Sequence, residues 1–200
     1  MASIIDIANR ALSKLGESRI TSLDDDVKAA REIKAAIYII RDSELRDHTW
    51  HFSKKRTSLA ALSTTPEGTI WAYQYQKPTD LIRVLQVGET DPQPDVNDYR
   101  INGLRDWELE GSVILSNSQA PLFLRYVYRV EDTTLFDASF VEVLSTRVAF
   151  ELCTAITQSQ AIKETLAKEY QMAMYKAILN NSVELPPQSI PDDTWVIGRL

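Results

Sequence analysis

The chain has one cysteine and two histidines in 200 residues. A single thiol, Cys153, excludes an internal disulfide framework and a multi-cysteine zinc site. Six glycines and eight prolines are too few for a low-complexity chain. No run approaches the roughly 20 apolar residues of a membrane-spanning helix. Residues 1–6 have neither a positive n-region nor an apolar h-region, so no signal peptide is expected there. Lys and Arg number 22 against 28 Asp and Glu, a net charge of −6. That balance excludes a generic DNA-coating protein, which needs a basic footprint. There is no G-x-S-x-G, no phosphate loop and no G-x-G-x-x-G. The expectation is a soluble globular protein kept in a reducing compartment.

What is present is strongly periodic at both ends. Four helices are predicted, at about 3–15, 23–47, 137–157 and 159–181. Ser3 with Asp6 makes a near capping box for the first, and Gly16 is its natural C′ residue. Ser22 is expected to cap the second, with Asp24, Asp25 and Asp26 in a first turn where the helix dipole favours negative charge. Val27, Ala30, Ile33, Ile37 and Ile40 mark its buried stripe, and Arg41, Arg46 and the intervening acids its solvated side. Asp137 is the expected cap of the third helix, with Phe136 placed to staple on Val141. That helix is apolar around its circumference and should be buried on more than one side. Thr157-Gln158-Ser159 breaks it from the fourth, whose stripe is Ile162, Leu166, Tyr170, Ala173, Met174, Ala177 and Ile178.

Between the second and third helices the period changes. Short β-like runs are predicted at 57–62, 70–75, 81–87, 101–102, 106–109, 113–115 and 122–130. Glu110-Gly111-Ser112 reads as a hairpin turn, and residues 91–95, with two prolines, as a surface loop. Pro186, Pro187 and Pro191 then impose an extended path on the C-terminal stretch. The fold class expected is α+β: an antiparallel four-helix bundle (1–52 and 131–182), a mainly antiparallel β insert (53–130) and an extended arm (183–200).

Chemistry-bearing residues are few. His48 and His51, near Asp47, lack the remaining ligands of a metal site, and the bland reading as helix-end histidines is preferred. Cys153 sits in the most apolar helix and reads as a small hydrophobe rather than a nucleophile. His51 and Lys54-Lys55-Arg56, flanked by Trp50 and Phe52, resemble a stacking nucleic-acid patch. In so acidic a chain the aromatics are better read as plugging a helix-to-sheet junction, with the basic groups solvated. Asn180-Asn181-Ser182 is a glycosylation sequon, without meaning unless the chain is secreted. Trp195, in a proline-rich arm, either folds back on its own bundle or anchors in a neighbour.

Five segments resemble the tail tubular protein A family, head-to-tail adaptors of short-tailed bacteriophages. Residues 8–17 with 20–23 are similar to its first helix and loop. Residues 46–52, containing Trp50-His51-Phe52, are similar to its W-x-F signature. Residues 78–84 resemble its P-x-D-[FY]-[LI]-R-V strand, with Leu81 in place of the aromatic. Residues 135–144 resemble the start of its third helix, and 193–199 its W-x-x-x-R close. The segments lie in the expected order, and the match is loosest over about 88–118.

The resemblance implies a structural virion component, not an enzyme, with no cofactor or metal. Twelve copies would form a homo-oligomeric ring beneath the portal protein. The ring would receive the tail nozzle and let genome DNA pass through its lumen, without sequence-specific or membrane binding. It would be made in the host cytoplasm and reside in the virion connector. A negative chain suits a channel through which DNA must slide. Trp195, Val196, Ile197, Arg199 and Leu200 are the expected partner-binding residues, packing on portal or on an adjacent adaptor. The alternatives are a head-completion or stopper protein of the same connector, a soluble enzyme with a dispersed site, and an isolated small binding domain.

Overall fold

A computed structural model describes residues 2–88 and 107–184. The described residues form an α+β fold with four principal helices and two three-stranded antiparallel sheets. The helices are α1 (Ile4–Leu15), α2 (Lys28–Asp47), α3 (Ala138–Thr157) and α4 (Gln160–Val183). The strands are β1 (Lys54–Leu59), β2 (Tyr73–Gln76), β3 (Leu81–Val87), β4 (Trp107–Glu110), β5 (Val113–Ser116) and β6 (Leu122–Tyr128).

Local chemistry sets most helix ends. Ser3 and Asp6 form the full capping box, each side chain accepting from the other's backbone N–H. Gly16 ends α1 at φ +76°, a left-handed conformation that a side chain would strain. Asp137 caps α3 by accepting from Ser139 N, and Ser159 caps α4 by accepting from Ile162 N. The α3–α4 break falls at Gln158, at φ +54°. The Phe136 ring packs on Phe52 and Phe140.

The start of α2 departs from expectation. It begins at Lys28, after Val27, which offers no side-chain cap. Asp25 accepts instead from Thr21 N (2.7 Å) and Ser22 N (3.2 Å), and Ser22 Oγ accepts from Asp24 N. These local bonds satisfy the acidic run in a turn, in direct competition with helix. Val27 consequently lies outside the buried stripe and is exposed. The other end of the chain is corrected too. Helix α4 continues through Val183, where the extended arm was expected to begin, and residues 185–200 lie outside the described residues.

Helix α3 packs against α1, α2 and α4. Its Phe140, Val143, Leu144, Val148, Ala149 and Cys153 are fully buried, and its polar Ser145 and Thr146 are satisfied by Glu142 O at 3.0 and 2.8 Å. Leu144→Ala is expected to cost about 2–5 kcal/mol if the void cannot collapse, read as a shift in denaturation midpoint.

The sheets run β1-β6-β3 and β2-β5-β4. Strand β6 serves two cores. Leu122, Leu124 and Tyr126 join Tyr75 and Ile114 in a small cluster drawn from both sheets, while Val127 enters the helical core. Gly111 (φ +54°) turns the β4–β5 hairpin, in which Glu110 pairs with Val113. The run predicted at 57–62 is shifted to 54–59, and that at 70–75 to 73–76. Ile70 is 84% exposed in the preceding loop. The short run at 101–102 and the loop at 91–95 lie outside the described residues.

Candidate functional site

The five partner-binding residues expected from sequence, Trp195, Val196, Ile197, Arg199 and Leu200, all lie outside the described residues. The other singled-out groups are placed clearly. Trp50 is 2% exposed, with Phe140 at 5.0 Å and Phe52 at 6.2 Å between ring centroids, and its Nε1–H donates to Glu44 O at 3.1 Å. The aromatics of this segment therefore plug the helix-to-sheet junction. Lys55 pairs with Asp80 at 2.7 Å, and Tyr126 OH donates to the same carboxylate at 2.9 Å. Burial opposes ionisation of Asp80, but these two partners outweigh it and hold its carboxyl below the usual range.

His51 is a structural tether. Its Nε2 lies 2.5 Å from Asn181 O, and its backbone N–H donates to Asn181 Oδ1 at 3.1 Å. Lys54 Nζ, 3.2 Å from Nδ1, leaves that nitrogen as acceptor and places the ring proton on Nε2. Asn181 Nδ2 also donates to Thr49 O at 3.0 Å, so the C-terminal end of α4 is tied to the segment that follows α2. Burial lowers the pKa of His48, against the opposing charge of Asp47. Cys153 is fully buried, beside Thr157 Oγ1 and Ser159 O. Among the described residues no group of three or more His, Cys, Asp or Glu is arranged to hold a metal, and no helix is long and apolar enough to cross a membrane.

Two features escaped the sequence reading. Arg41 and Glu44, assigned there to a solvated face, are 5% and 1% exposed. Glu44 Oε1 accepts from Tyr170 OH at 2.9 Å and faces Arg147 Nε at 3.6 Å, while Oε2 has no partner. Burial drives the Glu44 pKa up. Tyr170 and Arg147 oppose the shift, and Asp47 and Glu151 reinforce it. A carboxyl raised in the folded state binds its proton more tightly there than when unfolded. Its contribution is full below the unfolded value of 4.5 and is lost as pH rises through the folded one. Glu44→Gln, which mimics the protonated form, is therefore expected to melt no lower than the parent at pH 7, with the two converging toward pH 4. Destabilisation that is larger at pH 7 than at pH 4 would contradict this sign.

The second feature is a cleft of about 580 Å³ lined by the end of α2, strand β3, strand β4 and the loop before β2. Arg46, Arg83 and the Glu108 carboxylate are its charged lining groups. Trp71, whose Nε1–H donates to Glu108 at 3.0 Å, and Leu109 line it as well. Among the described residues neither arginine has an ion pair. Arg46 donates to Ile82 O, Arg83 Nη2 to the Thr49 hydroxyl, and Arg83 Nε is buried without a partner. Burial and the like charge of Arg46 both push the Arg83 pKa down, with Asp47 opposing.

A third surface lies on α4. Met172, Tyr175, Leu179 and Val183 are exposed by 60, 63, 46 and 83%. Their spacing of three, four and four places them in one stripe. Tyr38 and Ile39 on α2 are exposed as well, by 46 and 72%.

No protein-family model matches this chain, and no curated protein sequence matches it.

Proposed function

We propose that the protein is a structural head-to-tail adaptor of a bacteriophage virion. In this reading it forms a ring between the portal and the tail nozzle through which DNA passes, and it is not an enzyme. The ordered resemblance of five segments motivates the reading. The observation that carries it is the exposed apolar stripe of α4, since unpaired apolar surface of this kind marks association sites. A closed ring needs two different complementary patches on each copy. The α4 stripe and the Tyr38–Ile39 patch on α2 serve as that pair. The four helices, packed as a bundle, form the ring body, and the strands between α2 and α3 project from it toward a neighbour or the nozzle. The arm carrying Trp195, Val196, Ile197, Arg199 and Leu200 engages portal or an adjacent adaptor.

Deletion of residues 185–200 tests the role of the arm. The shortened chain is expected to keep its helical circular-dichroism signal and to bind portal at least tenfold more weakly. Unchanged portal binding would remove the arm from the interface.

A further inference from the structure

We infer that the face of the β1-β6-β3 sheet carrying Lys54, Arg56, Arg125 and Phe123 binds single-stranded nucleic acid without regard to its sequence. The inference goes beyond the adaptor reading and does not depend on it.

The strand register builds this face. The pairs Lys54–Val127, Arg56–Arg125 and Ser58–Phe123 follow one another on the same side of β1 and β6. Val127 is buried in the helical core, and beyond it the face opens, with Arg56, Ser58 and Phe123 exposed. Lys55 lies on the other side, where it pairs with Asp80, so the basic run is split between the two faces. Charge is the first observation. Arg56 and Arg125 stand directly opposite each other, and opposed like charges cost a sheet stability. Among the described residues neither has an ion pair, and nor has Lys54. Burial and the Arg125 charge both push the Lys54 pKa down, with no acid opposing them. Arg83, opposite Val127 on β3, is a fourth cation and donates to the Thr49 hydroxyl. Acids border the face at Glu184, 4.0 Å from His51 Nε2, and at Asp47, whose charge acts on Arg83. Four cations against those two carboxylates leave the face positive in a chain of net charge −6. A local excess of this kind suits a polyanion. The second observation is the ring. Phe123 is 41% exposed and joins neither apolar cluster. Its ring, one pair along from the two arginines, offers a stacking surface to an unpaired base while the guanidinium groups hold the flanking phosphates. A duplex covers the faces of its bases, and an acidic protein surface has none to stack. The two features together therefore favour a single strand.

The test is fluorescence anisotropy of a labelled oligothymidylate of about 12 nucleotides, titrated with the full-length chain at about 50 mM salt. Saturable binding is expected, with a log–log salt slope of about −2, from three phosphate contacts at about −0.7 each. Arg56→Gln with Arg125→Gln should weaken binding about tenfold or more and flatten the slope to about −0.7. The same variant should melt no lower than the parent, because the opposed like charges are gone. Arg56→Gln alone replaces it if the double variant does not fold. Phe123→Ala should weaken binding about fivefold or more at an unchanged slope, which separates stacking from charge. Lys168→Gln with Lys176→Gln removes two exposed cations of α4 and the same net charge, and should leave the affinity within about twofold. Absence of saturable binding would overturn the inference. So would an equal loss from the α4 control, or a slope indifferent to the arginine changes. A duplex of the same length that binds as tightly as the single strand would overturn the single-strand assignment. Poly-glutamate that binds as tightly would assign the face to an acidic protein and overturn it too. No portal or ring is present, so the outcome is separable from the adaptor reading. A chain that binds the oligothymidylate in this way but never binds portal would keep this inference and lose the adaptor.

Discussion

Trp50→Ala is expected to lower the stability of the isolated subunit by about 3–5 kcal/mol, the range for deleting a large buried aromatic. Trp50 is nearly fully buried where the helical core meets the first strand, in ring contact with Phe52 and Phe140, and Phe140 in turn packs on Phe136. Its loss opens a void bordered by the Phe52 and Phe140 rings and removes the donor to Glu44 O. Against a total stability of about 5–15 kcal/mol, this leaves little margin. Trp50→Phe keeps most of the ring packing and loses the N–H. Glu44 O still accepts from His48 N, so the cost should fall to about 1–3 kcal/mol. Urea denaturation midpoints of the two variants check the order. Equal losses would mean that the hydrogen bond, not the packing, holds the junction.

Leu179→Glu is expected to separate assembly from folding. Leu179 is 46% exposed on α4, so a charge there should change subunit stability by no more than about 0.5 kcal/mol. In a ring contact the same charge would be buried without a partner, and an uncompensated buried charge costs about 3–5 kcal/mol per interface. Twelve such contacts would not close. Sedimentation of the variant with portal should show free subunits with an unchanged melting temperature. A variant that forms rings as the parent does would remove the α4 stripe from the interface.

The sequence was most legible where local chemistry acts alone. Ser3 with Asp6, Gly16 and Asp137 each bracket a helix as capping rules require, and the break expected at 157–159 separates α3 from α4. Strand β3 matches the range predicted from its apolar run. The misses share one cause, which is competition from partners distant in sequence or from equally local alternatives. Asp25 found backbone donors in a turn before it could serve a helix N-terminus. Lys54, Lys55 and Arg56 lay outside the run predicted from 57, yet they open β1, an edge strand of its sheet, where charge is tolerated on the open side. Arg41 and Glu44 read as solvated because their burial depends on packing across the helices, where Tyr170 and Arg147 reach Glu44. The cleft was invisible for the same reason. Arg46, Trp71, Arg83 and Leu109 are scattered over 64 positions and meet only through the packing of two sheets on the end of α2.

The measurement that bears most directly on the adaptor reading is the mass of the assembly formed when purified subunit is mixed with portal protein, read by native mass spectrometry and by imaging of the same sample. A closed ring of twelve identical copies seated on the portal is the predicted result. A subunit that stays monomeric and never binds portal would contradict it.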